Sequence, residues 1–126
     1  MASELRVNTL KDASGNNSIA TSFVAGGSAK CWGHVTQGTT ALDDSFNCSS
    51  ISDDATGRFT ITRTTSMGND DYCVAGAVMA DRGGLVGANS ADTFTTSQTK
   101  FAITNSNDSG YQDYNRSCFQ IMGDLA

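Results

Sequence analysis

The stretch that decides the fold runs from Ser45 to Met79: Ser45-Phe-Asn-Cys-Ser-Ser-Ile51, Ser52-Asp-Asp-Ala-Thr-Gly57, Arg58-Phe-Thr-Ile-Thr-Arg-Thr64, a polar break, and Tyr72-Cys-Val-Ala-Gly-Ala-Val-Met79. Phe59 and Ile61 alternate with Thr60 and Thr62, so one side of that segment is apolar and the other polar. A period of two belongs to a half-buried strand and not to a helix. Three such segments, cut by Asp/Gly turns, predict an antiparallel meander. A meander with polar outer faces supplies a scaffold and names no chemistry, so function must lie in what is grafted on it or in what it assembles into.

Composition extends that reading to the whole chain. Its 126 residues make one domain with one modest core. Ser and Thr supply 30 residues, Asn nine and Gly 13, and Pro is absent. Twelve Asp stand against a single Glu, and only three residues are Lys. Glu and Lys suit exposed helix faces, whereas Asp, Asn, Ser and Gly suit turns and Thr suits strands. The fold class expected is all-β, an antiparallel β-sandwich of about 6–8 strands preceded by an extended N-terminal arm.

The net charge of −5 argues against nucleic acid as a partner, because a phosphate backbone needs a basic face. No apolar run approaches the ~20 residues that cross a bilayer, so no membrane insertion is expected. The leading residues lack the basic-then-apolar layout of a signal peptide, and a cytosol-like compartment is the expectation. Cys31, Cys48, Cys73 and Cys118 are widely spaced, without a C-x-x-C pair, so a zinc site is not expected. Buried free thiols are favoured in a reducing compartment, and two disulfides remain open in an oxidising one.

Along the chain, residues 4–10 predict a strand with Leu5 and Val7 on one side, a turn follows at 11–17, and Ser18–Val24 returns as a second strand. Ala25-Gly-Gly-Ser28 forms a joint. The division expected is an arm over 1–28 and a β-sandwich domain over 29–126, because the leading segments are too polar to order alone. Further strands are expected at 29–36, 99–104 and 111–122, with 86–97 as a loop or weak edge strand.

No catalytic residue is predicted. His34 is the sole histidine and alternates with Trp32 on a strand, and no G-x-S-x-G elbow is present. The pairs Asp43-Asp44, Asp53-Asp54 and Asp70-Asp71 each suggest a turn before a strand, not carboxylates facing across a cleft. Asn105-Ser-Asn-Asp-Ser-Gly110 opens like a calcium loop, but Arg116 falls where the bidentate Glu belongs. No metal or cofactor is therefore expected. Trp32, Tyr72, Tyr111 and Tyr114 suit core or interface positions better than a sugar-stacking platform.

Several motifs nonetheless resemble a known group. Ser3-Glu-Leu-Arg-Val-Asn-Thr-Leu-Lys-Asp-Ala-Ser-Gly-Asn-Asn-Ser-Ile19 resembles the opening of small virion appendage proteins of marine tailed phages, the cyanophage and pelagiphage tail-fibre, neck-appendage and capsid-fibre proteins. Ala29-Lys-Cys-Trp32, Asp44-Ser-Phe-Asn-Cys-Ser-Ser-Ile51, Asp54-Ala-Thr-Gly-Arg-Phe-Thr-Ile61, Met67-Gly-Asn-Asp-Asp-Tyr-Cys-Val-Ala-Gly76 and Phe119-Gln-Ile-Met-Gly123 follow in that group's order. Cys31, Cys48 and Cys73 replace small or apolar residues more usual there. The resemblance implies a non-enzymatic structural protein of the virion, assembled in the host cytoplasm as a homotrimer that meets other virion proteins through its arm. Leu5, Val7, Leu10 and Ile19 are then the anchor candidates. The alternative is a glycan-binding, host-recognising module, with Tyr111, Tyr114 and the 81–98 loop as its contacts.

Overall fold

The computed structural model describes residues 3–79, 84–88, 94–105 and 110–126. Most of the Gly-rich break at 81–84, residues 89–93 of the stretch read as a loop or weak edge strand, and the body of the turn at 106–109 lie outside the described residues.

Two four-stranded antiparallel sheets face each other, as the all-β sandwich expectation required. The first holds β4 (Ala41–Phe46), β3 (Ala29–Thr36), β10 (Ser117–Met122) and β7 (Cys73–Val78), in that spatial order. The second holds β5 (Cys48–Ala55), β6 (Arg58–Arg63), β9 (Gln98–Asn105) and β8 (Gly84–Ala88). Ahead of them stand a short hairpin, β1 (Thr9–Lys11) with β2 (Ser18–Ala20), and the helix α1 (Thr21–Gly27).

Of the alternation predicted for 59–62, Phe59 and Ile61 are both buried as expected, but Thr60 between them is buried as well, its hydroxyl donating to Asp54 Oδ2 (2.6 Å). The same period in β3 and β10 turns Cys31, Val35, Phe119 and Ile121 inward, where Phe101 and Ile103 of β9 meet them. Phe59, Phe101 and Phe119 join the sheets as an aromatic chain, with centroid separations of 5.1 and 4.8 Å. Such pairs add ~0.5–1.5 kcal/mol each beyond the area they bury. Gly33 lies under this chain: a Cβ there would sit 2.8 Å from Phe119 Cε1.

The three-strand meander needs correction. β5 and β6 do form a hairpin, but β7 leaves for the other sheet and pairs with β10. A polar segment, residues 64–72, carries the chain between the sheets, and length alone did not say which sheet receives it. Asp43-Asp44 and Asp53-Asp54 lie within β4 and β5 and not in turns. Those strands are sheet edges with solvent on their outer side, where a carboxylate costs little and blocks edge-to-edge pairing. The final strand is shorter than 111–122 and begins at Ser117.

The sheet switch between β4 and β5 turns on Asn47, whose φ is 57°. Asn tolerates this left-handed conformation better than most residues. Its amide nitrogen donates to Lys30 O (2.9 Å) and Thr65 O (3.1 Å), and its side-chain oxygen accepts from Thr65 N (2.7 Å). A second anchor is Arg63, which is 4 % exposed and has no carboxylate partner among the described residues. Its guanidinium donates instead to Thr99 Oγ1 (2.6 Å) and to the carbonyls of Thr95 (2.5 Å), Thr96 (3.1 Å) and Gln98 (3.3 Å). Hydrogen-bonded carbonyls replace the solvation the charge gives up.

Residues 18–24 do not form the expected strand throughout. Thr21 Oγ1 caps the pairing by donating to Val7 O (3.1 Å), and the chain then closes on itself as α1. β1 offers only three residues, so a longer β2 would have no partner for its backbone.

Candidate functional site

Two surfaces stand out. The first is the arm. Among described residues ahead of Ala29 none is buried, and the large apolar side chains Leu5, Val7, Leu10, Ile19, Phe23 and Val24 are all exposed. Leu5 is 81 % and Phe23 73 % exposed. Leu10 and Ile19 face each other as register partners in the hairpin. Asp12 holds the turn between them, accepting from Ser14 Oγ (3.0 Å), Asn16 N (3.0 Å) and Asn17 Nδ2 (2.7 Å). The hairpin is thus locally shaped while its apolar side chains lack cover from the sandwich. Sequence reading named four of these residues. Phe23 and Val24 were not named, their stretch having been read as the end of a second strand over Ser18–Val24.

The second surface is a shallow groove of about 620 Å³ on the outer face of the β4-β3-β10-β7 sheet. Trp32 and His34 of β3, Asp44 of β4, Cys118 and Gln120 of β10, and Ala75 and Ala77 of β7 line it. The small side chains of β7 leave the hollow, and Trp32, 40 % exposed, walls it. A β-bulge between His34 and Val35 admits an extra residue in β4 and brings Asp43 to the same face. Asp43 Oδ2 accepts from Thr36 Oγ1 (2.7 Å) and from His34 Nδ1 (2.8 Å). These hydrogen bonds, Thr36 first and His34 next, hold the Asp43 carboxyl below its usual value of 3.8.

Cys118 is the register partner of His34, and both point outward. No hydrogen bond joins its sulfur to the imidazole, so the thiol, the ring and Asp43 do not form a connected relay. Among the described residues no group of three or more His, Cys, Asp and Glu side chains is arranged to hold a metal ion. Among them also, no helix is long and apolar enough to cross a membrane.

The two tyrosines named as glycan contacts have structural duties. Arg58 stacks its guanidinium over the Tyr111 ring at 3.9 Å, and Tyr111 bridges to Thr104. Tyr114 is half-buried against the core, and its backbone exchanges hydrogen bonds with Gln37: Tyr114 N to Gln37 Oε1 and Gln37 N to Tyr114 O, both 3.1 Å. Trp32 is as open as Tyr111, 40 % exposed against 41 %, and it faces the groove. Its position beside Gly33 and two alanines on β7 could be recognised only once the register of β3, β10 and β7 was known.

Fold and surface together define an all-β sandwich module carrying an uncovered apolar arm and one grooved sheet face. Comparison of the chain with models of known protein families, with curated proteins and with solved structures finds no match.

Proposed function

We propose that the chain is a non-enzymatic structural module of a tailed-phage particle, a short fibre or knob that attaches through its arm and assembles as a homotrimer. The observation carrying this reading is the arm. A run of exposed Leu, Val, Ile and Phe side chains ahead of a well-packed sandwich is costly in water unless another surface covers it. The resemblance of the sequence motifs to phage appendage proteins is what supports placing that surface on the particle. The hydrogen-bonded anchors at Asn47 and Arg63 suit a rigid building block.

The test is a protein lacking residues 1–28, co-expressed with the other particle proteins, with incorporation read by imaging of purified particles. The truncated domain is expected to fold and to be missing from particles. Its normal incorporation would refute attachment through the arm. Light scattering on the full chain decides the trimer, and a monomer at high concentration would refute self-assembly.

A second reading, glycan recognition, has one observation in its favour: the exposed Trp32 indole beside Gln120 and Asp44 offers a stacking face with hydrogen-bonding groups around it. Binding on a glycan array that disappears in Trp32→Ala would establish it, and an empty array would remove it.

A further inference from the structure

Cys31 and Cys48 belong to opposite sheets, on β3 and β5, yet their Sγ atoms are in hydrogen-bond contact at 3.1 Å. The contact is imposed by backbone. Asn47, the residue before Cys48, binds the carbonyl of Lys30, the residue before Cys31, through its side-chain amide. Asn47 also grips Thr65 from both ends of its amide, so the corner that carries Cys48 is pinned against the start of β3. Few side-chain adjustments separate these thiols from bonding distance. The other two cysteines differ: Cys73 and Cys118 lie on the outer face of the first sheet, exposed, opposite Met122 and Ala77 respectively.

We propose that Cys31 and Cys48 form a modification site, a latent inter-sheet disulfide that closes when the folded protein meets a small-molecule disulfide such as oxidised glutathione. Cys48 is half-buried and reachable, whereas Cys31 is fully buried, which sets the order of events. The Cys48 thiolate attacks one sulfur of the reagent, breaking its S–S bond, forming a mixed disulfide and releasing one glutathione thiolate. Cys31 then loses its proton to that thiolate and attacks Cys48 Sγ, forming the protein disulfide and expelling the second glutathione. Two protein thiols are oxidised and one small disulfide is reduced to two thiols, so electrons and protons balance.

The local electrostatics agree with this order. A hydrogen bond from the Cys31 thiol, with help from Ser45 and the Arg63 charge, pulls the Cys48 thiol below its ordinary value. Donation of that hydrogen bond, and burial, push Cys31 upward. The reachable sulfur is thus the better nucleophile at neutral pH. The bond would tie the two sheets together at the root of the arm, independently of what the arm meets.

The experiment uses the full chain carrying Cys73→Ser and Cys118→Ser, both at exposed positions, incubated with oxidised glutathione and then denatured in N-ethylmaleimide. The expected product is lighter by two hydrogens and takes no maleimide. Cleavage before Asp43, which separates the two cysteines, should yield peptides joined through Cys31 and Cys48. The oxidised form should melt roughly 5–15 °C above the reduced form, in keeping with closure of a loop of this size. Maleimide on both cysteines after oxidation, a persistent glutathione adduct on Cys48, or equal melting temperatures would each overturn the proposal.

Discussion

The ring of Phe119 fills the space that a side chain at Gly33 would need. A Cβ at position 33 would fall 2.8 and 2.9 Å from Phe119 Cε1 and Cζ, and 3.2 Å from Leu42 Cδ2. Phe119 is 3 % exposed and wedged against Phe101, so it has little room to retreat. Gly33→Ala is therefore expected to destabilise the fold by about 1–3 kcal/mol through overpacking. Urea unfolding with an unchanged slope would show it. Adding Phe119→Leu should cost less in that background than in the native one, because the two sites are coupled.

Arg63 is held by carbonyls and hydroxyls, with its guanidinium carbon 4.8 Å from the Tyr72 ring centre. Arg63→Met fits the volume approximately but strands the acceptors at Thr95, Thr96 and Gln98. A loss of about 2–4 kcal/mol is expected. Arg63→Lys should restore only part of it, since an ammonium cannot reach acceptors on several sides of a planar fork. Thermal melts of the two variants check the order. Equal stability of the Arg63→Met variant and the native protein would show that the network contributes nothing net.

Asn47 combines an unusual backbone angle with three side-chain hydrogen bonds, and substitutions separate the two contributions. Asn47→Ala loses both and is expected to cost about 2–4 kcal/mol. Asn47→Gly keeps the left-handed angle at little steric cost and should be the milder change. If Asn47→Gly proved more damaging than Asn47→Ala in chemical denaturation, the backbone angle would not be the significant term.

Asp43 gives an acid-limb prediction whose sign follows from its depressed folded-state value. The unfolded carboxyl takes up its proton first as pH falls. The stabilisation is therefore complete above about pH 4 and disappears as pH drops through the lower folded value. The stability gap between native protein and Asp43→Asn should narrow on acidification below about pH 4 and stay flat above it. Because Asp43 is exposed, the gap itself is small, and a widening gap at acid pH would contradict the assignment.

How far the chain could be understood from residues alone varied with the physics involved. The buried side of β6 was plain because Phe59 and Ile61 repeat at the pleat period, and strand content followed from abundant Thr and scarce Glu and Lys. The sheet to which β7 belongs was not, because pairing with β10 is a long-range choice that leaves no mark on Cys73–Val78 itself. Asp43-Asp44 and Asp53-Asp54 misled because an edge strand tolerates outward carboxylates as readily as a turn does, whereas Asp70-Asp71 does lie in a bend ahead of β7. For the candidate surfaces, Leu5, Val7, Leu10 and Ile19 could be picked out as apolar residues in a polar arm. The groove could not, since it depends on register bringing Trp32 opposite Gln120, which in turn faces Ala75.

The placement of β10 between β3 and β7 also governs how quickly the native state can be reached. Val35 must find Ser117 before the first sheet is continuous, and the hydrogen bond from Ser117 Oγ to Val35 O spans 82 positions. Loop-closure entropy opposes such an encounter until the intervening segments have collapsed. Domains dominated by pairings this remote reach their native state in ms to s, orders of magnitude slower than helical bundles. A nascent chain would therefore linger with the edges of β3 and β7 unpaired, long enough for neighbouring copies to compete for them.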